Sequence, residues 1–230
     1  TEPFINEFLR PLFSGIFLES KLDTSERMFK FVFASMAKGD MVLPRGGIQA
    51  YPNLIADRIG RERIELSTPA TPIDSTTLAI RGKKIKTDQV VVAHPQRETS
   101  DSMNSVWTVY FSTPENSIKG NYILLNGNYE VGKNAIAHIA VPSNIQPTYS
   151  PSGKSLVAVT IVGDAAIALD LDSDESIEKQ ARMELRDLFE NSDTWQTVEV
   201  FHTKNALPQS ESQSNASSSV IFNENKIISC

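Results

Sequence analysis

The residues that could perform acid–base or metal chemistry are scattered along this chain of 230 residues. Its histidines, His94, His138 and His202, have no His, Cys or carboxylate nearby at the spacing of metal ligands, so surface or hydrogen-bonded histidines are the better interpretation. The single cysteine, Cys230, excludes an intrachain disulfide and a cysteine zinc site. Gly-x-Ser-x-Gly is absent, so a hydrolase has no nucleophile motif. The sequence therefore predicts neither a metal site nor a hydrolytic centre.

The segment Gly153-Lys154-Ser155 looks like the end of a phosphate-binding loop. The full motif requires a glycine where this sequence has Thr148, and Pro151 removes an amide that such a loop would use. An ordinary turn before a strand is the better interpretation. Gly-x-Gly-x-x-Gly is also absent, so the usual dinucleotide-binding motif is missing.

The hydrophobic pattern predicts an α+β fold, because strand-like runs adjoin one another and do not alternate strictly with helices. The segment Phe4–Leu22 contains Pro11 and Gly15, and its composition indicates an apolar, turning segment. Apolar residues at helical spacing predict helices at 26–38, 50–59 and 174–189. Short β-rich runs predict strands at 63–67, 71–75, 77–81, 84–86, 89–93, 106–112, 122–126, 135–141, 155–162 and 195–202. Residues 220–222 and 226–228 indicate a strand pair, or a strand and its approach.

The composition is that of an acidic globular protein. Lysine and arginine number 22 against 28 acidic residues, which gives a net charge of −6, and this balance argues against a nucleic-acid partner. No apolar run approaches the roughly 20 residues of a membrane-spanning helix. No basic segment precedes an apolar one as in a signal peptide, so we expect a cytoplasmic protein without a membrane span.

One block of the sequence resembles a known family. It runs from Leu22 to Asp40, continues through Leu43-Pro44-Arg45-Gly46-Gly47-Ile48 into a helix that ends at Ile59, and is followed by β-rich residues 63–95. This order is similar to the FAD-dependent amine oxidase superfamily, in its phytoene-desaturase-like and protoporphyrinogen-oxidase-like branch. Members place an LP-x-GG turn before a helix and a small β-meander after it. Further matches are Leu124–Gly127, Pro147–Pro151, Trp195 and Ala206–Gln209.

The resemblance implies FAD as the cofactor of the complete protein. It places Ala70 where family members contact the adenine of FAD through the backbone, although Ala70 also fits a plain strand residue. Gly46 and Gly47 would let the backbone approach the isoalloxazine region, since a glycine has no Cβ. A plain loop before a helix is the alternative for these two glycines.

The resemblance also implies an oxidoreductase that removes hydride from a small apolar or amine substrate, with the redox chemistry performed by the flavin. Trp107, Tyr110 and Tyr122, together with Phe111 and Leu124, could line an apolar substrate cavity, but strand periodicity favours core packing for about half of such residues. The sequence identifies no catalytic acid or base. A non-catalytic α+β module that binds a ligand or a partner is the alternative function.

Two family features have no counterpart in this sequence. Members begin with a Rossmann strand and its glycine turn, and they end with a Gly-Asp pair after a strand that Ile227–Cys230 resembles. We therefore expect an internal piece, inactive alone and weak in FAD binding, whose partner is the missing Rossmann half of the same protein. The resemblance implies this division: a helical segment with the LP-x-GG turn at 1–60, the meander at 61–96, a substrate-binding domain at 97–208, a linker at 209–219 and a final strand segment at 220–230.

Overall fold

The computed structural model describes residues 1–93 and 103–209 and the backbone of 221–222 and 228–229. His94, Cys230 and nearly all of the predicted linker lie outside these residues. The chain divides into two compact units, one of Thr1–Ala50 with Ser100–Ser212 and one of Tyr51–Thr99 with Gln213–Cys230. Helices and antiparallel sheets occur together, which confirms the α+β prediction. Within the described ranges, no helix is both long and apolar enough to cross a bilayer.

The elements follow in chain order. The helices are α1 (Glu2–Phe4), α2 (Arg10–Phe17), α3 (Glu26–Lys38), α4 (Ala50–Ile59), α5 (Pro142–Ile145), α6 (Gly163–Ala168) and α7 (Asp174–Leu188), with a π-helical stretch at Ile5–Leu9 and 3₁₀ turns at Arg61–Arg63, Pro147–Tyr149 and Ser192–Thr194. The strands are β1 (Ala70–Asp74), β2 (Thr77–Ile80), β3 (Lys83–Lys86), β4 (Val91–Val92), β5 (Met103–Pro114), β6 (Ile123–Leu125), β7 (Ile136–Ala140), β8 (Lys154–Val162), β9 (Gln196–Pro208), β10 (Ile221–Phe222) and β11 (Ile228–Ser229).

The first unit is organised around a five-stranded antiparallel sheet of order β6-β7-β8-β5-β9. Alternate residues of β5 and β8 point to one face and are buried there, because successive side chains of a strand alternate between faces. Helix α7 covers this face with Ile177, Ala181 and Leu185. The sheet residues beneath it are Trp107, Val109, Phe111, Val157, Val159 and Ile161. Burial of each large apolar side chain contributes about 1.5–3 kcal/mol.

Polar contacts fix α7 on the sheet. The buried carboxylate of Glu184 accepts hydrogen bonds from the backbone N–H of Ala135 (2.6 Å) and Ile136 (3.1 Å) at the beginning of β7. Arg182 donates to the backbone carbonyl of Trp195, directly before β9, at 3.2 Å. It also donates to the hydroxyl of Thr197, within β9, at 2.6 Å. The helix is therefore held at two separate points of the sheet.

The opposite face of the sheet is covered by α2 over β7 and β8. Gly15 of α2 lies directly against the His138 ring of β7, and a Cβ at Gly15 would overlap that ring. The Nδ1 atom of His138 is buried with no hydrogen-bond partner among the described residues. Burial lowers the pKa of His138 to about 4, although a hydrogen bond with the Pro11 backbone acts in the other direction. His138 is thus neither a surface histidine nor a fully hydrogen-bonded one, and that prediction was wrong.

The second unit contains two small sheets. One is the meander β1-β2-β3, in which Ala70 pairs with Ile80 and Thr77 with Lys86. The other joins β10 to β11 in antiparallel register and β11 to β4 in parallel register. The predicted strand pair near the end of the chain is therefore confirmed at 221–222 and 228–229, and residues 226–227 of the prediction lie outside the described residues.

Several secondary-structure predictions are confirmed and one is wrong. The helices predicted at 26–38 and 50–59 have these bounds, and the helix predicted at 174–189 ends one residue earlier. Phe4–Leu22 is mostly helical, and a π-helical stretch at Ile5–Leu9 directly precedes the turn of α2 that contains Pro11. Residues 63–67 form no strand: a 3₁₀ turn ends at Arg63, and the first strand begins at Ala70.

We predict that Gly15→Ala destabilises the protein. Overpacking against His138 costs about 1–3 kcal/mol, and the better helix propensity of alanine returns only about 0.5–1 kcal/mol. Chemical denaturation measures the difference. Gly127→Ala is the matched control, since its added Cβ meets only ordinary contacts at 3.9 Å. In a His138→Ala background Gly15→Ala should become neutral or stabilising, and persistent destabilisation there would contradict the contact.

The stability of the protein should also depend on the protonation of His138. The folded-state pKa lies below the ordinary value of 6.5, so the unfolded state binds more protons between these two values. The contribution of neutral His138 to the free energy of unfolding is complete above pH 6.5 and falls by about 3 kcal/mol as the pH decreases to about 4. Denaturation of the wild type and of His138→Gln across this range isolates the contribution. Equal pH slopes for the two proteins would refute it.

Candidate functional site

The turn between α3 and α4 presents bare backbone to its surroundings. The N–H groups of Gly46 and Gly47 both donate to the Pro44 carbonyl, at 3.0 and 3.1 Å. The φ angles of these glycines are +140° and +80°, a region that other residues rarely adopt. The N–H of Ala50 then donates to the Gly47 carbonyl at 3.0 Å, where α4 begins. The sequence Pro-x-Gly-Gly thus folds into a tight turn whose tip carries no Cβ atoms.

A tyrosine from a distant part of the chain fixes this turn. The Tyr149 hydroxyl donates to the Pro44 carbonyl at 2.8 Å, and that carbonyl is the same acceptor that closes the turn. Tyr149 ends the 3₁₀ turn in the connection from β7 to β8. The position of the glycine turn is therefore set by the sheet.

The glycine turn borders an open cavity of about 470 Å³. Leu156 of β8 forms part of its wall and lies on the sheet face opposite α7, since its neighbours Ser155 and Val157 are buried on the α7 side. The full lining consists of Arg45, Gly46, Gly47, Thr148, Tyr149 and Leu156. The structure thus brings both predicted glycines to the edge of that sheet face.

We call the part of this face formed by β5, β8 and β9 the open face; it contains Thr108, Tyr110, Ser112, Leu156, Ala158, Thr160, Glu199 and Phe201. The β5 and β8 members of this set are only partly buried, and Phe201 is 54% exposed. The Tyr110 and Phe201 rings meet edge to face with centroids 5.8 Å apart. Glu199 lies directly opposite Tyr110 in the β5–β9 register. Aromatic rings, hydroxyls and a carboxylate therefore share a surface that remains accessible.

The predicted cavity residues are not brought together. Trp107 is 5% exposed on the α7 face and stacks on His202 with centroids 3.7 Å apart. Phe111 belongs to the same buried cluster, and Leu124 packs against that cluster. Core packing is therefore the correct interpretation for Trp107, Phe111 and Leu124. Tyr110 is on the opposite face, and Tyr122 is 71% exposed beside β6. A role in substrate binding stays a prediction for Tyr110 and Tyr122.

Ala70 belongs to the other unit and is the first residue of β1. Among the residues that the structure describes, strand β1 is at the edge of its sheet and pairs with β2 alone. Edge strands carry backbone N–H and C=O groups that the sheet does not use. This geometry suits a ligand contact through the backbone, and the adenine contact of Ala70 stays a prediction.

Sequence reasoning missed the roles of Tyr149 and Leu156. Tyr149 lies within Pro147–Pro151, a matching segment to which the sequence assigned no function. Its partner is the Pro44 carbonyl, 105 residues away along the chain. A tyrosine inside a matched turn was the available signal, but only the tertiary fold identifies the atom that it binds.

Comparison with known proteins identifies the family of the chain. The family model for flavin containing amine oxidoreductase matches residues 2–219. The chain belongs to this family. No curated protein matches this sequence significantly.

Solved structures share the fold of this family member. An oxidoreductase from Methanosarcina mazei is 13% identical with a TM-score of 0.59, over 90% of this chain and 54% of that one. A putative protoporphyrinogen oxidase from Exiguobacterium sp. 255-15 is 14% identical with a TM-score of 0.52, over 74% and 41%. Reduced UDP-galactopyranose mutase is 12% identical with a TM-score of 0.51, over 91% and 54%. The chain therefore spans about half of the length of these proteins.

The groups around the glycine turn can bind and orient a ligand. They comprise the peptide planes of Gly46 and Gly47, whose N–H groups are already used inside the turn, the hydroxyl oxygens of Thr148 and Tyr149, and the guanidinium of Arg45. In the part of the chain that the structure describes, no cluster of three or more His, Cys, Asp or Glu could hold a metal ion. In this family the redox chemistry would come from a flavin, and the protein would position the reactants.

We predict that Tyr149→Phe loosens the glycine turn without unfolding the protein. Loss of the hydroxyl removes one hydrogen bond, worth about 0.5–1.5 kcal/mol, from the Pro44 carbonyl. Hydrogen exchange at the Gly46 and Gly47 amides should accelerate by up to roughly tenfold. Tyr110→Phe is the control and should leave these amides unchanged. If Tyr149→Phe also leaves them unchanged, the Tyr149 hydroxyl does not fix the turn.

Proposed function

We propose that this chain forms the substrate-side part of an FAD-dependent oxidoreductase that removes hydride from a small apolar or amine substrate. The observation that carries the proposal is the position of the glycine turn, whose bare backbone lies beside the open face of the sheet. Membership in the flavin containing amine oxidoreductase family supports the cofactor. A bound flavin would accept the hydride.

The glycine turn is suited to the flat ring system of a flavin. Without Cβ atoms, the peptide planes of Gly46 and Gly47 can approach an aromatic ring within van der Waals distance. Tyr149 holds these planes in place through the Pro44 carbonyl, so the contact surface would exist before the ligand arrives. Ala70 would contribute backbone contacts to the adenine end.

The open face is suited to the substrate. Tyr110 and Phe201 offer aromatic surface, and Glu199 lies opposite Tyr110 in the register. An ammonium group is attracted both by aromatic ring faces and by a carboxylate. The hydroxyls of Thr108 and Thr160 would orient polar atoms of the substrate. This combination supports an amine more directly than a purely apolar molecule.

The pyrophosphate of FAD requires residues beyond these. The sequence contains no Gly-x-Gly-x-x-Gly, and the usual pyrophosphate site is the helix N-terminus that follows that motif. We propose that a Rossmann segment of the natural protein supplies it. The 230-residue chain alone should then bind FAD weakly.

A pair of glycine substitutions tests the proposal in the natural protein that contains this chain. Gly47→Ala adds a Cβ that meets no protein atom within 4 Å, but the Cβ would obstruct the flavin. We expect FAD affinity, measured by fluorescence quenching, to fall roughly tenfold or more, which is about 1.4 kcal/mol. Gly132→Ala is the matched control, because its φ of +83° is close to the +80° of Gly47 and its Cβ also meets nothing.

The outcomes separate the two candidate functions. Tight FAD binding that is weakened by Gly47→Ala alone supports the oxidoreductase. Equal effects of the two substitutions would place the flavin away from the glycine turn. A colourless natural protein that takes up no FAD would refute the proposal and favour a module that binds a ligand or partner without flavin.

A further inference from the structure

A second cavity of about 770 Å³ lies at the end of the sheet where β5 finishes and β8 begins. The connection after β5 forms one wall, and the connection from β7 to β8 forms the other. This polar cavity meets the cavity of the glycine turn at Thr148, which lines both. It takes no part in the flavin contacts proposed above.

The walls of the polar cavity are braced by hydrogen bonds. The side-chain amide of Asn144 donates to the backbone carbonyls of Ile118 (2.9 Å) and Gly120 (2.8 Å). The buried Ser143 hydroxyl accepts from the N–H of Leu156 at 2.9 Å. The N–H of Glu115 donates to the Gly153 carbonyl at 3.2 Å. These contacts tie both connections together, so the shape of the cavity is part of the fold.

Most residues that line this cavity have polar side chains, and the formal charge of the lining is positive. Lys119 and Lys154 contribute ammonium groups, and Glu115 is the single carboxylate of the lining. Hydroxyl and amide side chains make up much of the rest, among them Asn116, Asn121, Ser150 and Ser152. Two cations against one anion stand out in a chain with a net charge of −6.

We infer that the polar cavity binds the oxyanion group of a small polar ligand. Ammonium groups form charge-assisted hydrogen bonds with phosphate and carboxylate oxygens, and neighbouring hydroxyls and amides complete the contacts. Lys154 follows the turn at Pro151–Gly153, so this segment would contact an anion through a lysine side chain without the amide cradle of a nucleotide-binding loop. Glu115 opposes the anion and limits its affinity.

The inference is tested by titrating the natural protein with inorganic phosphate in a calorimeter, in a buffer with saturating flavin. Lys154→Gln and Lys119→Gln should each weaken phosphate binding roughly two- to fivefold, and Glu115→Gln should strengthen it by a similar factor. Lys133→Gln is the matched control, because Lys133 is an exposed lysine on another loop, paired with Glu130 at 2.8 Å. A parallel titration with acetate distinguishes a carboxylate from a phosphate as the preferred group.

The result is decisive because the lysine and Glu115 substitutions are expected to change phosphate affinity in opposite directions. A damaged fold would weaken binding in every variant, whereas the inference requires Glu115→Gln to strengthen it. Phosphate or acetate binding with this pattern supports the site. Absence of binding for both anions, or equal losses in Lys154→Gln and Lys133→Gln, would overturn it. Because the readout is anion binding, a protein that takes up no flavin still gives a valid answer.

Discussion

Burial of one face of the five-stranded sheet under α7 is the constraint on which the rest of the first unit depends. Alternation along β5 and β8 sends Val109, Phe111 and Val159 into the core beneath the helix, so the residues between them must point the other way. A shift of one residue in register would exchange the two sets. Glu184 fixes α7 relative to this sheet, because its carboxylate accepts hydrogen bonds from two backbone N–H groups at the beginning of β7.

The candidate site follows from this arrangement. With one face committed to the core, the opposite face carries the partly buried hydroxyl and aromatic residues, and α2 covers it over β7 and β8. The connection from β7 to β8 then presents Tyr149 to the Pro44 carbonyl, and the glycine turn is held at the edge of the open face. A backbone surface that a ligand could contact is thus positioned by the same sheet that forms the core.

Local patterns were sufficient to predict most elements but not the assignment of faces. Helix α3 could be predicted from its apolar spacing and from Ser25 and Gly39 at its ends. The family resemblance pointed to Gly46 and Gly47, which the structure places in a positive-φ turn. The grouping of Trp107 with Tyr110 failed, because aromatic character carries no information about which face a residue occupies. The burial of the His138 ring could not be predicted either, since it depends on a contact with Gly15 of α2, which is far from β7 in sequence.

We propose that the glycine turn and the open face together form the flavin side of this domain. A crystal structure of the natural protein with bound FAD tests it most directly. We expect the isoalloxazine ring in van der Waals contact with the Gly46–Gly47 backbone, with one of its faces turned toward Tyr110. A flavin bound on the α7 side of the sheet, or one that leaves the glycine turn in contact with solvent alone, would contradict it.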